Sequence, residues 1–134
     1  MWASLFIIVM MFLGTIFGAD TQKEDFISFL IKFSYDTKFQ SERIIFPLQK
    51  EKLSSDLSQN VHVFINKKNW EPVHLLKGNQ NYMTDIQYSF NEVNHNSSER
   101  VLVFLGLENG INVKYYFKLY NNLWYLKKIV DYST

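Results

Sequence analysis

An α+β fold, in which helices pack on the concave face of a strongly curved antiparallel sheet, is predicted by three observations. Two hairpin turns join apolar strands in the last third of the chain. Helical periodicity is confined to the front and to one middle stretch. The resulting order is helix, helix, strand, strand, helix and then four strands, as expected for helices packed against a bent sheet. The strongest local signal is Asn109-Gly110 between the apolar runs 100–107 and 111–120, because both residues tolerate the positive φ of a type I′ turn. With these as the two loop residues, Gly106, Phe104 and Leu102 face Val113, Tyr115 and Phe117. Asn121-Asn122 marks a second turn before the run 123–133 and sets Leu119 against Trp124 and Phe117 against Leu126. Strict alternation would then turn Lys128 inward. A bulge at Lys127-Lys128 removes that conflict and brings Ile129, Asp131 and Ser133 onto the face of Trp124 and Leu126.

Ahead of these strands, Thr21-Gln-Lys-Glu24 has the form of a capping box and starts a helix. Phe26, Phe29, Leu30 and Phe33 recur at helical spacing, with Ile27 and Ile31 widening the stripe, so the helix lies on the sheet. Asp36 caps a short second helix carrying Phe39. Ile44, Phe46 and Leu48 alternate as a strand that Pro47 confines to an edge or a bulge, since proline offers no amide to a ladder. Residues 50–60 read as a loop and 61–65 as a short strand. Asn69 then caps a middle helix through Trp70, Val73, Leu75 and Leu76 to Gly78, and Tyr82 to Phe90 alternate as a half-buried strand.

A chain of 134 residues with 47% hydrophobic and 17% aromatic content sustains one domain with one core. Residues 1–19 hold no charged side chain and read as a signal peptide, leaving one domain over 20–134 in a periplasmic or secreted protein with no stable membrane span. An uncleaved anchor is the other reading of that run. With no cysteine, disulfides and thiolate chemistry are excluded. The net charge of +1 comes from scattered basic residues, so nucleic acid is not an expected partner.

No phosphate loop, paired-cysteine site, His-Glu-x-x-His or serine elbow is present, and no cofactor or metal is expected. His62, His74 and His95 lie on different elements without ligand spacing. Asp36 reads as a helix cap or as an acid at a cavity mouth, and Arg43 as its ion-pair partner or that of Glu42. Asp131 is either a wet carboxylate at the sheet rim or, if desolvated, a general base or anchor on the concave face. These three residues, with Trp70, Tyr88, Tyr115, Phe117 and Trp124, are the candidate pocket residues. On the other sheet face Val101, Val103, Leu105 and Tyr116 form a greasy patch expected to bind a second copy or a partner.

The sequence Phe26-x-x-Phe29 through Phe33, Asp36, Phe39-Gln40, Arg43-Ile44 and Phe46-Pro47-Leu48, together with Trp124-x-Leu126-x-x-Ile129-x-Asp131-x-Ser133, resembles a family of uncharacterised exported proteins of Bacteroides-type bacteria (Bacteroidales) with the nuclear-transport-factor-2-like cone fold. The resemblance implies a helix-backed half-barrel with an internal pocket. No catalytic residue is carried over, because the acid, tyrosine and protonated-acid pattern of ketosteroid isomerases has no matched motif here. The function expected is an exported, non-enzymatic module holding a small apolar ligand in the cone or a cell-envelope protein on the sheet, including pairing as a homodimer. The alternative is a cofactor-independent isomerase or lyase with Asp131 as base. A cone densely filled with aromatic side chains favours the module.

Overall fold

In the computed structural model, residues 22–76, 78, 81–91 and 97–134 are described. The 1–19 run, Thr21 and His95 lie outside them. Helix α1 (Phe26–Tyr35) is followed by α2 (Thr37–Glu42) and six strands: β1 (Ile44–Leu53), β2 (Asn60–Ile65), β3 (Tyr82–Gln87), β4 (Glu99–Gly106), β5 (Asn112–Tyr120) and β6 (Leu123–Asp131). They form one cone-like sheet in the order β2-β1-β6-β5-β4-β3. Its neighbours are antiparallel except β1 and β6, which run parallel and so join the front of the chain to its end.

Helix α1 starts two residues beyond the expected capping box. Asp25 is the cap and accepts a hydrogen bond from the Ser28 amide at 2.9 Å, which holds its carboxyl below the usual range. Glu24 is thereby freed for a tertiary role. Asp36 caps α2 through the Phe39 amide, as its position predicts, and lies exposed, lining none of the cavities described below. Phe26, Phe29, Leu30 and Phe33 are buried against Leu102, Phe117, Trp124 and Leu126, whereas Ile27 and Ile31 face outward. Phe117 is ringed edge-on by Phe26, Phe29 and Phe33, with centroids 5.4 to 5.7 Å away. Such packing suits the quadrupoles of aromatic rings and fills this half of the cone. Phe117 is therefore core rather than pocket.

The turn Asn121-Asn122 takes φ of 47° and 63°, and the expected pairs Leu119 with Trp124 and Phe117 with Leu126 form. So does the bulge: Tyr116 faces Lys128 while Phe117 faces Leu126, leaving Lys127 over, and Ile129 and Asp131 then face Tyr115 and Val113. The first hairpin differs. Phe104 pairs with Val113 and Leu102 with Tyr115, because four residues form the loop and positive φ falls on Glu108 and Gly110 rather than on Asn109 and Gly110. A slip of two residues preserves the faces, since side chains alternate with period 2. Pro47 sits on an interior strand, at a register shift between β1 and β6, so the bulge reading holds and the edge reading does not.

Three further expectations fail. Strand β1 continues to Leu53, shortening the loop read over 50–60, because pairing with both β2 and β6 carries its polar residues. The middle helix is replaced by a 3₁₀ turn, Lys67–Asn69, and residues 70–76 run without helix or strand. Finally, Val101 and Val103 do not lie on an exposed patch: Val103 is only 4% exposed and Val101 fully buried. Their cross-strand partners are the long side chains of Tyr116 and Lys114, and the Phe90 and Lys128 side chains pack on the Tyr116 ring. Leu105 stays exposed and Tyr116 half-buried.

Candidate functional site

Toward the ends of β5 and β6 away from their turn, the cone is not filled. Its floor is Tyr115 and Val113 of β5 with Ile129 of β6, one wall is Tyr82 and Phe104, and residues 70–76 cross above. Two cavities of about 280 Å³ each lie here. Trp70, Ile129 and Lys50 line the first, and His74, Tyr82 and Phe104 the second. Val73 and Tyr115 line both, so they form the partition.

Tyr115 is the polar centre of this space. Burial, then the Asp131 charge and Tyr82, push its phenol up to about 12, so it remains a neutral hydrogen-bond donor at any ordinary pH. Asp131 lies on the concave side, as the bulged register requires, but its side chain is 31% exposed and Lys50 Nζ stands 3.6 Å away. It therefore lacks the desolvation on which a general-base role depends. Trp70 donates its indole N–H to Gln40 Oε1 at 3.1 Å and meets Phe46 edge-on. Among the described residues, no cluster of His, Asp and Glu forms a metal site.

Other candidate residues serve elsewhere. Arg43 pairs not with Asp36 or Glu42 but with Glu24, through two hydrogen bonds of 2.8 and 3.1 Å, and also donates to the Trp124 carbonyl. Glu24 in turn accepts from the Trp124 amide, while the Trp124 indole donates to the Glu24 carbonyl at 2.8 Å. Local sequence favoured the nearer acids, but only the distant one meets both guanidinium nitrogens. Tyr88 and Trp124 flank a different cavity, of about 450 Å³, at the start of α1. There Arg100 lies 5.0 Å from the Tyr88 ring and 5.1 Å from Trp124, and donates to the carbonyls of Tyr88, Ser97 and Glu99. Burial pushes its guanidinium below the usual range. Since Glu24 and Asp25 are also committed to the fold, this cavity reads as a structural joint.

Gln40 and Lys50 had no signal in the sequence pattern, because their roles depend on which loop and strand arrive beside them. Arg100 could have been found: it shares the inward alternation of Leu102 and Phe104, where a charge is out of place.

With this geometry in view, residues 6–131 match the model of a family described as a domain of unknown function, DUF4348. The chain belongs to the DUF4348 family. Among solved structures, it is similar to a nuclear-transport-factor-2-like protein from Bacteroides fragilis, at 22% identity and a TM-score of 0.63, over 86% of this chain and 50% of that one. The DUF4348 chain thus spans about half the length of that relative. A protein from Bacteroides uniformis is similar over 81% of this chain and 76% of its own, at 21% identity and a TM-score of 0.54. No curated protein matches. These likenesses establish the nuclear-transport-factor-2-like fold for this DUF4348 domain and leave its ligand to the chemistry of the site.

Proposed function

We propose that this DUF4348 protein is an exported, non-enzymatic binding module that holds a small, uncharged, largely apolar molecule between the sheet floor and residues 70–76. The observation that carries the reading is Tyr115, a phenol kept neutral by burial and set between two cavities walled by Trp70, Val73, Phe104 and Ile129. Aromatic and aliphatic walls around the Tyr115 phenol, with Lys50, Asn69, Glu71 and His74 also on the lining, suit a ligand with an apolar body and a carbonyl or hydroxyl group. The Lys50–Asp131 pair balances its own charge at the rim and so calls for no ionic ligand. Two further observations support the module over an isomerase or lyase: the other half of the cone is filled by aromatic rings, and Asp131 is ion-paired and partly wet. Export rests on the uncharged apolar run 1–19.

The test is titration of protein purified from its own host with 1-naphthol, a neutral aromatic alcohol, followed by the fluorescence of the probe. Saturable binding is expected, weakened roughly fivefold by Tyr115→Phe, the equivalent of one hydrogen bond of about 1 kcal/mol. Absence of saturable binding, or equal binding by both proteins, would overturn the reading.

A further inference from the structure

We propose that Gln40 is a latch on residues 70–76 that sets the size of molecule the concave cavity admits, a proposal that rests on the binding reading above. Residues 70–76 belong to no helix or strand. Among the described residues, the hydrogen bonds tying this segment to the helices all converge on Gln40, a side chain only 1% exposed. Its Oε1 accepts from the Val73 amide at 2.9 Å and from the Trp70 indole at 3.1 Å. Its Nε2 donates to the Val73 carbonyl at 2.8 Å and to the Phe33 carbonyl at 2.7 Å. Both acceptor sites and both amide protons are thus used, three of the four on the segment and the fourth on α1.

The residue that Gln40 grips is the partition. Val73, bound through both its amide and its carbonyl, is shared by the two cavities of about 280 Å³. The segment's other holds are apolar: Leu75 is buried in the core and Trp70 rests edge-on against Phe46 at 6.3 Å. Such contacts are non-directional and survive a sideways shift, whereas the bonds to Gln40 have fixed geometry and are made or lost together. With the latch closed there are two small chambers above Tyr115. With it open, Val73 lifts and the chambers join. A molecule fitting one chamber enters without the latch, and a longer one waits for it to open. Gln40 therefore acts as a positioning residue, selecting by size without touching the ligand.

Two neutral probes separate the latch from the site. Stopped-flow mixing with 1-naphthol reports entry into one chamber, and with the larger dye Nile red reports entry into both. Gln40→Leu, close in volume, should speed Nile red association at least tenfold and change that of 1-naphthol less than twofold. In the unsubstituted protein, the Val73 amide and the Trp70 indole proton should exchange with solvent at least a hundredfold faster than the amide of Leu102 in mid-sheet, and bound Nile red should slow them. Equal Nile red rates in the two proteins, or Val73 exchange as slow as that of Leu102, overturn the latch. If Gln40→Leu does not fold, exchange in the unsubstituted protein alone decides. Failure of 1-naphthol to bind counts against the site, while Val73 exchange still judges the latch.

Discussion

Replacing Glu24 by alanine should destabilise the protein by about 3 kcal/mol, far more than the loss of a helix-capping residue. The side chain makes a two-pronged pair with Arg43 and also accepts the Trp124 amide at 2.9 Å. Leaving one partner of a fully buried pair costs about 3–5 kcal/mol. Here Arg43 and Glu24 are 14% and 20% exposed, so solvent screening brings that to roughly 2 kcal/mol. Stranding the Trp124 amide adds about 1 kcal/mol. For a domain of this size the sum corresponds to a fall in Tm of roughly 10 °C. Urea unfolding of Glu24→Ala, Arg43→Ala and the double variant measures it, with a coupling of at least about 1 kcal/mol expected. If Glu24 only completed a capping box, its loss would cost about 1 kcal/mol and show no coupling to Arg43. That outcome would refute the reasoning.

Three other outcomes follow from particular side chains. Tyr115 is held to about 12 against 10.0 for a free phenol, so its contribution is complete below pH 10 and is lost as the pH rises toward 12; unfolding measured from pH 9 to 12 should show a loss that Tyr115→Phe reduces, with Tyr132, also raised to about 12 by its bond to Glu51, supplying part of the remainder. Asp56 accepts from both the Ser54 and Ser58 hydroxyls at 2.6 Å and is lowered to about 2, so the order it gives the β1–β2 loop is complete above pH 4 and lost on descent through 2, as a carboxyl NMR titration with a midpoint near 4 would contradict. Val103→Lys places a charge at a site 4% exposed and should destabilise the folded chain by at least about 3 kcal/mol; sedimentation that instead shows a stable monomer released from a dimer would restore the surface-patch reading.

What the sequence determined by itself was whatever alternation and local backbone chemistry control. Phe26, Phe29 and Phe33 reach the core because a period of 3.6 puts them on one face, and Asp36 caps because its carboxylate needs only the next turn. The Lys127-Lys128 bulge was legible because Ile129 and Lys128 could not both be satisfied without it, and Asp131 came to the concave face as a consequence. The tertiary structure alone decided the pairings between distant parts of the chain. Nothing local distinguishes Glu24 from Glu42 as the partner of Arg43, and the apolar spacing of Trp70, Val73 and Leu76 fits a helix as well as a segment pinned by Gln40. Val101 and Val103 read as a surface until long neighbours covered them. These choices depend on which donors, acceptors and apolar surfaces arrive together, and a group such as Gln40 has its partners only once α2 and residues 70–73 occupy the same few ångströms.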